Sequence, residues 1–174
     1  MMTIAKLNEA IRLSLQQENY YSALALALTM PDICGKMEFP KLGSEARSKN
    51  WFDKYMRKNY ECEIMEKHVV FMTAGDCYAL RCSFLHEAKD DIEHQRASDT
   101  LKRFQFTTLG IHRIKTDEIL NLNVSNFCLE ICAAVDEWID GVSSDNEIME
   151  RTNLLLTIKD STYSPIPFVT IGNK

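Results

Sequence analysis

A chain of 174 residues, 45% hydrophobic and 26% charged, is long enough to bury a core without metal or disulfide support and too apolar to stay disordered. Its formal net charge of −5 excludes constitutive, charge-driven binding to long nucleic acid, which requires many phosphates to be neutralised at once, but leaves room for an enzyme that grips a few phosphates locally. No apolar run approaches the roughly 20 residues of a membrane helix, because the stretch at 23–30 stops at Pro31, and the N-terminus turns polar before any h-region forms; a cytoplasmic protein with no membrane partner is expected.

Taken in chain order, Thr3 is a candidate N-cap for a first helix in which Ile4, Leu7, Ile11 and Leu15 recur at helical spacing, ending near Glu18 or Asn19. A second helix from Tyr20 through Leu28 is apolar nearly all round, the pattern of a central element, and Pro31 should kink or end it. Residues 35–43, with Gly35, Pro40 and Gly43, read as a turn, after which Ser44 caps a third helix carrying Trp51, Phe52, Tyr55 and Met56. The segment 59–71 is two-sided: 61–67 favours helix, while His68, Val69, Val70 and Phe71 have strand content.

Thr73 with Asp76 three residues on has the spacing of a capping box for a fourth helix reaching Glu87. The charged stretch 89–99 reads as a solvated loop. Residues 104–108 and 119–124 alternate and are β-branched in the manner of short strands, which suggests an inserted hairpin. Ser125 should cap a fifth helix whose apolar face includes Phe127, Ile131, Cys132, Val135 and Trp138 before Gly141. Residues 154–158 and 168–171 read as strands around the turn of Pro165, Ile166 and Pro167. The expected fold is a single domain over 1–174 and mainly α, with a helical core over about 3–88 and 124–152 and a small β addition over about 103–123 and 153–172.

The six cysteines, Cys34, Cys62, Cys77, Cys82, Cys128 and Cys132, have irregular gaps and no C-x-x-C pair, so they read as reduced, buried thiols. Cys128 and Cys132, at i and i+4, could share a metal, but packing is the better reading of the pair; no metal and no cofactor is expected. Positive charge concentrates over 41–58. There Arg47, Lys54 and Lys58 interleave with Trp51 and Tyr55 as candidate phosphate and base contacts for an RNA strand, against the plainer reading that the aromatics line the core. His86, Glu87, Asp90, Asp91, Glu93 and His94 read as a solvated loop rather than a metal site, with Asp90 or Asp91 as a candidate orienter of His86. His68 and His112 stand alone.

Arg81 and His86, five residues apart at the end of the fourth helix, put a fixed cation and an acid/base group within range of one phosphodiester. In an ideal helix that gap turns the side chains apart by about 140° at ~100° per residue, so a catalytic pair would require two such helices to meet across a symmetry axis. The plainer reading pairs Arg81 with Glu87 or Asp76 and leaves His86 as a dipole-favoured C-terminal residue; Cys82 beside Arg81 is a weaker nucleophile candidate.

The R-x4-H string from Arg81 to His86 resembles the motif of the HEPN superfamily (higher eukaryotes and prokaryotes nucleotide-binding). That resemblance implies a helical bundle with Arg81 and His86 as the catalytic pair of a metal-independent endoribonuclease. It also implies a homodimer, RNA as substrate, and a toxin or defence role in which an antitoxin or another protein is a partner. Where many members carry a polar Asn or Asp after the Arg, this chain has Cys82. A non-catalytic dimerisation or interaction module in phage–host conflict is the alternative the same helix allows. The strings around Pro31, Asp32, Ile33, Cys34 and Gly35 and around Tyr78, Ala79, Leu80 and Arg81 are also similar to an uncharacterised group of bacterial and mobile-element proteins, which implies no activity.

Overall fold

A computed structural model describes residues 2–158. The strand expected at 168–171 and the turn around Pro165 lie outside the described residues. The described chain is mixed α and β, with helices α1 (Thr3–Gln16), α2 (Tyr20–Glu38), α3 (Ser44–Tyr55), α4 (Ala74–Glu87), α5 (Val124–Val142) and α6 (Asn146–Asn153). Strands β1 (Glu61–Ile64) and β2 (Lys67–Val70) form one antiparallel hairpin, and β3 (Arg103–Thr107), β4 (Ile114–Thr116) and β5 (Ile119–Asn123) form a second small sheet. None of these helices is long and apolar enough to cross a membrane.

Helix α2 is the centre of the packing. It contacts α1, α3, α4, α5 and α6, and it buries Ala23, Leu24, Ala27, Leu28, Met30 and Cys34. The sequence predicts a kink or an end at Pro31, and the helix continues to Glu38. The proline removes one backbone donor, and burial of the following turn among its neighbours outweighs that loss. Gly35, expected in a turn, is a helical residue instead. A Cβ there would sit 2.6 Å from the Arg47 carbonyl oxygen, so the absent side chain is what lets α2 and α3 approach this closely.

The caps differ from the sequence reading in a consistent way. Met2, not Thr3, precedes α1, which stops at Gln16; Gly43, not Ser44, is the N-cap of α3; and Asn123, not Ser125, caps α5 by accepting the Asn126 N–H. Gly141 lies inside α5 rather than beyond it, and 154–158 is not a strand. The Thr73–Asp76 capping box of α4 is present with both reciprocal bonds.

Strand β3 pairs parallel with β5, and β4 pairs antiparallel on the far side of β5, so the order is β3-β5-β4. The two segments expected to form a hairpin, 104–108 and 119–124, therefore lie side by side in parallel as β3 and β5, and the hairpin is instead β4–β5. Phe104, Leu120 and Leu122 are buried, and Phe106 meets Phe127 of α5 edge-on at 5.6 Å between centroids. Strand β5 runs directly into α5, so the sheet and the longest amphipathic face of the chain share one core that also holds Trp51, Trp138 and Tyr60.

Residues 61–67, read as helix-favouring, form β1 and the turn into β2 instead. The two-residue loop is Met65 and Glu66, with φ of 49° and 61°, the left-handed pair of a type I′ turn that Asn-Gly fills without strain. Glu66→Gly is expected to raise stability by about 1 kcal/mol, a Tm increase of roughly 2–4 °C in thermal unfolding for a chain of this size. A decrease would show that Glu66 makes a compensating interaction.

Candidate functional site

Helix α4 begins on the capping box at Thr73 and ends at Ala88, whose φ of 55° stops it in the left-handed region. Arg81 lies between these ends on the side that faces α2 and α3. Its Nη2 donates to Asp32 Oδ2 at 3.0 Å, while Arg47 of α3 donates through Nε to Asp32 Oδ1 at 2.5 Å and Ser44 Oγ donates to Oδ2 at 2.8 Å. One carboxylate, 8% exposed, thus ties α2, α3 and α4 together. Arg81 also lies over the Tyr78 ring at 5.6 Å, a cation–π contact. Within these contacts two guanidiniums face one carboxylate, so one positive charge is left over.

His86, in the last turn of α4, is exposed beside the Glu87–Lys89 ion pair. No hydrogen bond or ion pair joins it to another described residue. The structure therefore brings Arg81 to Asp32 and Arg47, and not to His86. Neither expected acid serves Arg81: Asp76 is committed to the helix cap and Glu87 to Lys89. Nor does an aspartate orient His86, because Asp90 lies 3.4 Å from Arg103 and the Asp91 carboxylate accepts the Glu93 N–H. Cys82 is half-buried.

The basic stretch 41–58 is matched by acids, most of them from other helices. Arg47 meets Asp32, Lys54 meets Glu38 at 2.5 Å, Lys49 meets Glu45 at 3.0 Å, and Lys58 meets Glu137. Trp51 and Tyr55 are 0% and 6% exposed, in tilted contact at 5.2 Å between centroids, so they fill the core and offer no ring to a base. Burial pushes the Tyr55 phenol up, and Glu38 pushes the Lys54 ammonium up. These pairings escape the sequence because Asp32, Glu38 and Glu137 come from other helices.

A second polar cluster has no counterpart in the sequence reading. Glu130 of α5 accepts from Tyr60 Oη at 2.5 Å and from His112 Nε2 at 2.9 Å, and Arg113 approaches it at 3.8 Å. The Asn123 N–H donates to His112 Nδ1 at 3.2 Å, which assigns the ring proton to Nε2. His112 is therefore a neutral strut between the sheet and α5, and it does not stand alone. Burial and the adjacent Glu130 charge push the Tyr60 phenol well up. Every group in the cluster is partnered, so it fastens the fold and leaves no acid or base free.

All six thiols are unpaired, with Cys34, Cys77, Cys128 and Cys132 buried and Cys62 and Cys82 half-buried. Burial pushes Cys77 and Cys128 up to about 12 and Cys132 up to about 11. Cys128 and Cys132 lie on the buried face of α5 and pack in the core. No group of three or more His, Cys, Asp or Glu that could hold a metal ion occurs among the described residues. Compared with protein-family models, with curated proteins and with solved structures, the chain matches none.

Proposed function

We propose that this chain is a metal-independent endoribonuclease of HEPN type, acting as a homodimer in a toxin or defence setting through Arg81 and His86. The observation that carries the reading is the Asp32 cluster: it holds Arg81 in one orientation and leaves a net positive charge beside it, suited to a phosphodiester. His86 is exposed and uncommitted on the same helix. Two α4 helices meeting across a two-fold axis would put the Arg of one copy near the His of the other.

In that arrangement an imidazole takes the proton of a ribose 2′-OH, whose oxygen attacks the phosphorus. The P–O5′ bond breaks, the leaving oxygen takes a proton from the second imidazole, and Arg81 steadies the charge on the phosphoryl oxygens. The products are a cyclic phosphate end and a 5′-hydroxyl end.

Labelled single-stranded RNA incubated in EDTA with the wild-type chain, Arg81→Ala and His86→Ala tests this. The wild type is expected to cleave, and each variant to lose about 100-fold or more, the usual scale for an acid–base group. Equal cleavage by all three would sink the assignment. A second reading, a non-catalytic dimerisation or protein-interaction module, is favoured by one observation: Asp32 already engages the Arg81 guanidinium within the chain. Its signature is no cleavage by the wild type together with a stable dimer.

A further inference from the structure

Beside Arg81 lies a small cavity of about 10 Å³, walled by Leu28 and Pro31 of α2, Ser48 and Phe52 of α3, and Cys77 and Arg81 of α4. Two of these residues carry polar atoms that are buried and find no partner among the described residues, Ser48 Oγ and Arg81 Nε. Ser48 is only 4% exposed, so bulk solvent does not satisfy it. Buried polar groups are almost always hydrogen-bonded, and two of them on the wall of one cavity call for a common partner.

The size and lining select that partner. Room for about one probe sphere, ~10–15 Å³, holds a single water and no larger molecule. The guanidinium repels a metal ion, and apart from Ser48 and Tyr78 the remaining walls are apolar. A water oxygen can accept the Arg81 Nε–H while the molecule exchanges one further hydrogen bond with the Ser48 hydroxyl, which both donates and accepts.

We propose that this cavity is a binding site for one water molecule, bridging Arg81 Nε to Ser48 Oγ at the junction of α2, α3 and α4. Asp32 then holds Nη2 and the water holds Nε, so the guanidinium is fixed along one edge and Nη1 is left for an outside acceptor. The water site stands whether or not the chain cleaves RNA.

The test is a high-resolution crystal structure of the full chain, accompanied by bromide-soaked crystals and by urea unfolding of Ser48→Ala. Density for one ordered water within hydrogen-bond distance of both atoms, with no anomalous bromide peak, is the expected result. Ser48→Ala is expected to lower the folding equilibrium constant about tenfold, the scale of one hydrogen bond. A cavity without density, a halide in it, or Ser48 Oγ turned onto the Ser44 carbonyl one turn earlier would overturn the proposal, and so would a Ser48→Ala chain as stable as the wild type. Should that variant fail to fold, the wild-type density decides alone.

Discussion

Asp76→Ala is expected to cost about 4 kcal/mol of stability, near the top of the range for a single substitution. The carboxylate is 0% exposed and is ion-paired with no cation among the described residues; hydrogen bonds hold it. Its Oδ1 accepts the backbone N–H groups of Asp99, Thr100 and Leu101 at 2.9, 3.0 and 3.1 Å. Its Oδ2 accepts the Thr73 N–H at 3.1 Å and the Thr100 hydroxyl at 2.8 Å. Truncation would strand three loop donors and half of a capping box together. The loop lies so close to α4 that a Cβ on Gly75 would collide with Asp99 and with the Ala97 carbonyl.

The same carboxylate sets an acid limit. Burial pushes Asp76 up, but the hydrogen bonds from Thr100, Asp99 and Thr73 overcome it and the net pKa is lowered. A group whose folded pKa is depressed contributes stability that is fully present above its unfolded pKa, ~3.9 for Asp, and is lost as pH falls through the folded value. Urea unfolding between about pH 6 and pH 2.5 should therefore show the wild type losing stability more steeply than Asp76→Asn below about pH 4. Parallel profiles would mean that another acid governs the transition.

Legibility in the sequence followed the range of the interaction. The Thr73–Asp76 box is local, three residues apart, and it was readable; the bonds from Asp76 to 99–101 span more than twenty residues and were not. Pro31 obeys a local rule that burial of α2 overrides. The Met65–Glu66 turn carries none of the glycine or asparagine that announces such a turn, so its hairpin is hidden behind helix-favouring neighbours. Strands β3 and β5 were visible as alternating segments, but nothing in either segment encodes that they pair parallel with β4 on the far edge. At the candidate site, Arg81 and His86 stand out as residue types. The acid that captures Arg81 is 49 positions away on α2, beyond the reach of any spacing rule, and the same distance effect concealed the partners of Arg47, Lys54 and Lys58.

Asp32→Ala is expected to be nearly as damaging, about 3–5 kcal/mol, because it leaves two mostly buried guanidiniums facing each other with no counter-charge. Charge balance predicts an asymmetry among the three partners. Removing Arg47 leaves Asp32 paired one-to-one with Arg81 at 3.0 Å, so Arg47→Ala should cost only about 1 kcal/mol. Removing both guanidiniums and the carboxylate together, as Asp32→Leu with Arg47→Met and Arg81→Met, should recover most of the loss, since apolar groups of similar volume replace a buried ion cluster at little net cost. Urea unfolding of the four proteins measures the ordering, and an Arg47→Ala loss as large as that of Asp32→Ala would refute it. If Arg81 acts on RNA, Asp32 is its positioning residue. Cleavage per folded molecule by Asp32→Asn should then fall about 100-fold, the effect of a ~1 Å misplacement, with kcat carrying the loss and KM little changed. Loss of stability without any change in kcat would leave Asp32 with a purely structural role.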